Sequence, residues 1–186
     1  MQLHRTRALQ LLEEHINQDN LKKHCLATEA IMRHLARHLG EDEEKWAVTG
    51  LLHDLDFEET KENMSRHGLV SSEILAKEGL DEDSLQAIRA HNGENTNVAK
   101  ESRLDFALSC AESITGLIVA TTLVQPSKKI SDLKVKSVVK RMKKKEFARA
   151  VSREDIMLCE NLGLSLNDFA LISIRAMQEI SDELGL

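Results

Sequence analysis

The sequence predicts an all-α protein. Only one of its 186 residues is proline, eight are glycine, and aromatic residues make up 3%. Such a composition disfavours a β-sandwich or barrel, which needs many turns and aromatic strands, whereas abundant Leu, Ala, Glu and Lys favour helices. Apolar residues also recur at helical spacing along most of the chain. Because the length suits one ordinary hydrophobic core, we expect a single helical bundle over residues 1–186.

Helix-end signals place the first half of the bundle. Gly40 is a typical C′ residue for a helix over 21–39, and the acidic residues 41–44 favour the start of the next helix. That helix stops abruptly at Leu51-Leu52-His53-Asp54, and a charged loop is expected over 56–66. The first half also contains predicted helices at 3–18, from His67-Gly68 to Gly79, and from Asp81 to Asn92-Gly93.

The second half centres on an apolar helix predicted from about Ser102 to Val124, which is apolar on nearly all sides after Ala111 and therefore central. A polar loop over 94–100 precedes it. Residues 128–149 contain ten Lys or Arg residues and are interpreted as an amphipathic helix with a solvated basic face. Helices at about 153–162 and 166–184 complete the prediction.

The net charge of −6 argues against general affinity for nucleic acid. Segment 128–149 keeps nucleic-acid binding open as a minor alternative, although Phe147 is its only aromatic residue for base stacking. Cys25, Cys110 and Cys159 are odd in number and set among apolar residues, which indicates buried, reduced thiols. No stretch approaches about 18 uninterrupted apolar residues, so we expect a cytoplasmic protein without membrane contact.

Histidines and carboxylates recur at predicted helix ends and on inward helix faces. Each alone has an ordinary explanation, since a histidine on an apolar face is more often a hydrogen-bonded core residue than a ligand. Glu112 is harder to explain, because an unpaired carboxylate on the inward stripe of an apolar helix is costly unless a cation or donors meet it. Imidazole nitrogens with carboxylate oxygens suit a divalent metal that polarises water. The set comprises His24, His53, Asp54, His67, His91 and Glu112.

In this order the residues resemble the HD superfamily of metal-dependent phosphohydrolases, whose signature is H…HD…D on a helical bundle. Leu-Leu-His-Asp-Leu-Asp, Arg-His-Gly-Leu-Val-Ser-Ser-Glu-Ile-Leu and Ala-Ile-Arg-Ala-His-Asn look like the HDIG type, including HD-GYP phosphodiesterases and HD-type diadenosine tetraphosphatases. The resemblance covers about residues 20–120 and implies an HD core over about 20–125. The C-terminal helices over 128–186 would pack on this core.

The resemblance implies a site for one or two divalent ions. His24, His53, Asp54 and Glu112 would hold the first ion, and His67 and His91 would complete a second with Asp54 bridging. Glu112 stands where the family normally has Asp. With no thiolate in the set, Fe or Mn is expected first, and Co, Ni, Zn or Mg are alternatives.

The implied reaction is hydrolysis of a phosphomonoester, phosphodiester or phosphoanhydride of a small nucleotide-like substrate by a metal-bound hydroxide. Asp54 would be catalytic through the metals, and Glu58 or Glu59 are candidate proton donors to the leaving group. Lys23, Arg66, Arg89 and Lys128 are candidates for binding phosphate. The alternative is a catalytically degenerate regulatory module that binds metal or nucleotide. A homodimer is an open alternative for the oligomeric state.

Overall fold

The computed structural model describes residues 3–186, and within that range every regular element is a helix. The all-α prediction is therefore confirmed. The helices in chain order are α1 (Arg5–His15), α2 (Asp19–Leu39), α3 (Glu43–Leu52), α4 (Phe57–Thr60), α5 (Leu69–Lys77), α6 (Glu82–His91), α7 (Gly93–Thr96), α8 (Arg103–Leu123), α9 (Val135–Met142), α10 (Arg153–Met157), α11 (Leu166–Glu179) and α12 (Ser181–Leu184), with 3-10 turns at Ile130–Asp132 and Leu158–Leu162.

Helix α8 forms the centre of the bundle and packs against α2, α3, α6, α9, α10 and α11. Its side chains Leu108, Ile114 and Leu117 have no exposed surface. By length and composition α8 could cross a membrane, with a mean hydropathy of 1.5 over its most apolar window, but 67% of that window is buried against this chain. Packing in the core therefore accounts for its apolar character.

Helices α2 and α3 make the most extensive pairing in the fold. Gly50 of α3 allows this approach, because a Cβ built there would lie 2.8 Å from Met32 Cγ and 3.0 Å from the carbonyl oxygen of Thr28. The carbonyl belongs to helical backbone and cannot move aside. The glycine thus brings the C-terminus of α3, and with it His53, against the first half of α2.

Several predicted helix ends occur as expected. Gly40 ends α2 with a φ of 73°, and the Asp81 carboxylate accepts a hydrogen bond from the backbone N–H of Ser84 at the start of α6. Ser102 and Asp105 form a reciprocal capping box at the start of α8. Caps of this kind depend on local sequence, which explains why they could be predicted.

The basic segment departs most from the prediction, because only Val135–Met142 within 128–149 is α-helical. Beyond Met142 the chain wraps around the guanidinium of Arg153, which donates hydrogen bonds to carbonyl oxygens of Lys144, Phe147, Ala148 and Val151. These carbonyls would be unavailable in a continuous helix. The expected loops over 56–66 and 94–100 also contain the single turns α4 and the end of α7.

Replacing Gly50 with alanine should destabilise the fold although alanine favours helices. The new methyl group would meet fixed backbone of α2, and overpacking typically costs about 1–3 kcal/mol against the roughly 1 kcal/mol gained in helix propensity. We expect a lower thermal midpoint by circular dichroism. Gly116→Ala is the matched control, because a Cβ there meets only the Cγ2 of Val151, and it should leave the midpoint unchanged or raise it.

Candidate metal centre

The six ligands predicted from the sequence lie together in two adjoining groups. The first consists of His24, His53 and Glu112, and the second of Asp54, His67 and His91. Within each group one potential ligand atom per residue lies within 4.8 Å of the others. The longer side chain of Glu112 therefore still reaches the histidines of α2 and α3.

Asp54 lies between the two groups. Its Oδ1 is 3.2 Å from His67 Nε2 and 3.5 Å from His91 Nε2. Its Oδ2 is 3.5 Å from His24 Nε2 on the other side. One carboxylate thus offers an oxygen to each group, which is the arrangement required of a bridging ligand.

Hydrogen bonds at Nδ1 fix the tautomers of three histidines. The Nδ1–H of His53 donates to the carbonyl oxygen of Gly50 at 2.8 Å, and that of His91 donates to the carbonyl oxygen of Ile88. The Nδ1–H of His67 donates to Asp56 Oδ1 at 2.8 Å. Since carbonyl and carboxylate oxygens only accept, each Nδ1 carries the proton, and each Nε2 has a free lone pair in the neutral ring.

His24 is fixed in the same way through Thr115. The hydroxyl of Thr115 donates to the carbonyl oxygen of Glu112 at 2.6 Å, so its oxygen accepts the Nδ1–H of His24 at 2.9 Å. All four imidazoles therefore direct an Nε2 lone pair at the cluster.

These lone pairs face one another in two close pairs. The Nε2 atoms of His24 and His53 are 3.2 Å apart, and those of His67 and His91 are 3.1 Å apart. Two acceptors at this distance repel unless a cation or proton lies between them. Metal–nitrogen bonds of about 2.1 Å give ligand–ligand separations of about 3.0 Å in octahedral and about 3.4 Å in tetrahedral geometry. The donor set therefore fits divalent metal ions.

Burial and neighbouring charges shift the pKa values of three residues in the cluster. Burial lowers the pKa of His53 to about 3, whereas burial together with the negative charge of Asp54 raises the pKa of Glu112 to about 8. Burial also opposes protonation of His67, but Asp54 and Asp56 outweigh it and raise its pKa to about 9. A bound cation would oppose protonation of both His67 and Glu112, because ligands bind metals in their deprotonated forms.

Gly68 and Asn92 join the loop that carries His67 to the end of α6. Gly68 has a φ of 85°, and a Cβ there would lie 2.6 Å from the carbonyl oxygen of Ile88, so glycine is required for both conformation and space. The side-chain amide of Asn92 donates to the carbonyl oxygens of Met64 and His67 at 2.7 and 3.1 Å. These contacts hold the His67 and His91 rings edge to face, with their Nε2 atoms 3.1 Å apart.

A cleft of about 330 Å³ opens onto Asp54, His67, His91 and Glu112. Its far wall includes Lys100 and Asp155, whose Nζ and Oδ1 atoms are 3.8 Å apart. Phe57, Met64, Asn92, Glu94 and Ala150 complete the lining. The segment after α9, to which the sequence assigned no role in the site, therefore contributes to the cleft.

The four predicted phosphate-binding cations do not line this cleft, and their role in binding substrate stays a prediction. Arg66 lies 3.5 Å from Glu73, and Arg89 donates to Ser72 Oγ and pairs with Glu82. Lys23 lines a separate groove beyond His24, and Lys128 borders a surface cavity elsewhere. Lys23 directly precedes His24 on α2, and neighbouring side chains on a helix diverge by about 100°, so Lys23 points away from the cluster.

Glu58 and Glu59 are also poorly placed to protonate a leaving group. The Glu58 carboxylate accepts hydrogen bonds from the backbone N–H groups of Asn17 and Gln18 at 2.9 and 2.7 Å. These donors lower its pKa, which makes it a poor acid, and it secures the chain where α2 begins. Glu59 is exposed and lies outside the cleft lining.

Sequence reasoning missed Asp56, Thr115, Lys100 and Asp155. Asp56 was detectable in principle, because it follows the His-Asp pair by two residues and a metal-bound histidine commonly donates its second N–H to a carboxylate. Its Oδ2 also accepts the backbone N–H groups of Gly68 and Ser71 at 2.9 Å each. Lys100 and Asp155 are brought together only by tertiary packing, and no local pattern marks them.

Asp56→Asn should weaken the second ion site selectively. The amide would present its NH₂ group to one of three donors that the carboxylate accepts, which disturbs the orientation of His67. Changes of this kind typically cost about 10–100-fold in metal affinity. Titration with Mn²⁺ by calorimetry should show one weakened site and one unchanged site. Equal weakening of both sites, or of neither, would contradict the assignment of His67 and His91 to a separate ion.

Comparison with known proteins places these residues in a family. A segment of 97 residues, 52% of this chain, is 31% identical to ribonuclease Y of Nitratidesulfovibrio vulgaris strains DP4 and Hildenborough and 27% identical to ribonuclease Y of Oleidesulfovibrio alaskensis. The segment spans only 18% of the length of those relatives. The search of solved structures gave no significant match.

The family model for the HD domain matches residues 21–153, well over half of the chain. The match includes all six clustered ligands and extends beyond the HD core of about 20–125 expected from sequence. The chain therefore belongs to the HD domain family, within the superfamily of metal-dependent phosphohydrolases.

Proposed function

We propose that this protein is a metal-dependent hydrolase of a phosphomonoester, phosphodiester or phosphoanhydride in a small nucleotide-like substrate. The observation that carries the proposal is the convergence of four imidazole Nε2 lone pairs on the Asp54 carboxylate. Divalent ions held by these ligands would supply Lewis-acid activation of water and neutralise charge on the phosphoryl group.

The clustered residues form two groups, each of which would hold one ion. His24, His53 and Glu112 would hold one, His67 and His91 would hold the other, and Asp54 would contribute to both. Because the ligands are nitrogen and oxygen without thiolate, Fe or Mn suits the site best, and Co, Ni, Zn or Mg are alternatives. The Nδ1 hydrogen bonds orient each ring before any ion arrives.

Lys100 is the residue best placed to bind the substrate phosphate. It is the only Lys or Arg in the lining of the metal cleft described above, and its side chain is 17% exposed. Asp155 lies close enough to restrain its ammonium group without a tight ion pair. In a cleft that also contains Glu94 and Glu112, this cation supports binding of an anion next to the ligands.

The size of the cleft supports a small substrate, since about 330 Å³ lies near the lower end of the range of about 300–1,000 Å³ for small-molecule pockets. The matched relatives are named ribonucleases, which supports a nucleotide phosphoryl group as the class attacked. Binding of longer nucleic acid through residues 128–149 remains the minor alternative. We further propose a cytoplasmic location and leave a homodimer open.

The second candidate function is a regulatory module that binds metal or nucleotide without turnover, suggested by Glu112 in place of the family's Asp. The reach of Glu112 to His24 and His53 favours the enzyme. Protein purified without chelators should be assayed for metals by mass spectrometry and tested on diadenosine polyphosphates, cyclic dinucleotides and nucleoside monophosphates. Chelator-sensitive hydrolysis supports the enzyme, whereas two bound ions with no turnover of any class support the regulatory module.

Asp54→Ala should abolish activity and remove both ions, because the bridging carboxylate serves each group. Helical content measured by circular dichroism should remain, since the helices are held by the apolar core. Asp132→Ala, which removes an exposed carboxylate in the basic segment, is the matched control and should retain metals and activity. Full metal retention in Asp54→Ala would contradict the bridging role.

Lys100→Ala should raise KM by about 10–100-fold without loss of metal, because a charge-assisted hydrogen bond contributes about 1.5–3 kcal/mol and each 1.4 kcal/mol is tenfold. Steady-state kinetics on whichever substrate the panel identifies, together with metal analysis, makes the measurement. The control is Lys136→Ala, an exposed lysine of α9, which should leave KM unchanged. An unaltered KM in Lys100→Ala would remove Lys100 from the site.

A further inference from the structure

A second and larger concavity, of about 550 Å³, lies beside the metal centre on the opposite side of His24. We call it the α2–α8 groove. Its lining combines the polar residues Asn20, Lys23 and His24 with apolar residues that include Val119, Leu123 and Leu186. A pocket with mainly apolar walls and a few polar groups is typical of sites for small organic ligands.

The groove adjoins the metal cluster through His24. This histidine lines the groove, while its Nε2 atom lies 3.2 Å from His53 Nε2 in the cluster. Thr115 lines the groove as well and holds His24 through the hydrogen bond at Nδ1. A ligand in the groove would therefore contact a residue that holds the first ion.

Gly116 lines the groove and presents no side chain there. It lies one helical turn beyond Glu112 of the cleft and one turn before Ala120 of the groove, on the same face of α8. The glycine is exposed and helical, a position where alanine would stabilise the helix by about 1 kcal/mol. A Cβ there would meet only the Cγ2 of Val151, at 3.0 Å. Since that methyl group belongs to a side chain that can rotate, packing alone does not require glycine.

Building on the proposed function, we propose that the α2–α8 groove binds the nucleoside part of the substrate, which passes over Gly116 while its phosphate lies at the metals. The apolar walls would contact the base and sugar faces, and Asn20 and Lys23 would meet their polar edges. The groove is ample for a single nucleoside. It also accounts for the exposed apolar side chain of Leu123 at the end of α8, which lines the groove and is 48% exposed.

The test separates phosphate binding from nucleoside binding in the manganese-loaded protein. Calorimetry would compare inorganic phosphate with the 5′-phosphonate analogues of adenosine and uridine monophosphate, whose P–C bond resists hydrolysis. We expect at least one analogue to bind at least tenfold more tightly than inorganic phosphate. Analogues that bind no more tightly than phosphate would overturn the inference.

Two variants locate the gain in affinity. Ala120→Trp fills the groove and Gly116→Leu blocks the passage, so each should remove most of the nucleoside contribution while leaving the affinity for inorganic phosphate unchanged. Leu171→Trp, at an exposed position on α11 outside the groove, is the control and should bind like the wild type. Leu123→Ala shortens an exposed wall with little risk to folding and should weaken the analogues several-fold.

Three other outcomes would contradict binding of the nucleoside in the groove. Unchanged analogue affinity in both Ala120→Trp and Gly116→Leu would exclude the groove, as would a change of oligomeric state in these variants, which would identify it as an interface between copies. If inorganic phosphate fails to bind the manganese-loaded wild type, the proposed function itself is contradicted, and the inference falls with it.

Discussion

Repulsion between facing imidazole lone pairs is the constraint on which the site depends. The Nε2 atoms of His24 and His53, and of His67 and His91, approach to 3.2 and 3.1 Å. In neutral rings the protons lie on Nδ1, and the repulsion is relieved only by a bound cation or by a second proton, as on His67, whose pKa Asp54 and Asp56 raise to about 9. The fold resists it with rigid supports: a close helix contact at Gly50, a backbone approach at Gly68 and the side-chain amide of Asn92. A polypeptide that concentrates acceptors in this way is organised to bind cations, and the surrounding helices fix their positions.

Helix α8 connects the candidate metal site to the core of the bundle. Its buried face supplies the largest part of the core, while three positions within little more than one helical turn serve the site: Glu112 in the cluster, Thr115 as the partner of His24, and Gly116 in the adjoining groove. The same helix therefore carries stability and chemistry on different faces. This division explains how an apolar segment can tolerate a carboxylate whose pKa is raised to about 8.

The sequence identified the six clustered side chains because most lie at a helix end or on a helix face, where local periodicity determines direction. His53 ends α3, His91 ends α6, and Glu112 follows the apolar stripe of α8. The surrounding cations were assigned by adjacency in sequence, which does not determine the direction of a side chain: Arg66 and Arg89 contact acidic or hydroxyl side chains and do not line the metal cleft. Lys100 and Asp155 meet across 55 positions of the chain, and no short pattern encodes such a meeting. The broken basic segment was missed for the same reason, since Arg153 acts on carbonyl groups rather than on a sequence motif.

Arg153 holds one wall of the cleft through main-chain contacts, which leaves the side chains of that loop free to vary among related sequences. Its guanidinium binds main-chain oxygens of Lys144, Phe147, Ala148 and Val151, and main-chain oxygens are present whatever the side chains are. The loop that brings Ala150 to the cleft can therefore exchange its side chains without losing its anchor and without touching any ligand of the cluster. Substrate preference could diverge there by simple substitution, while the metal chemistry stays the same.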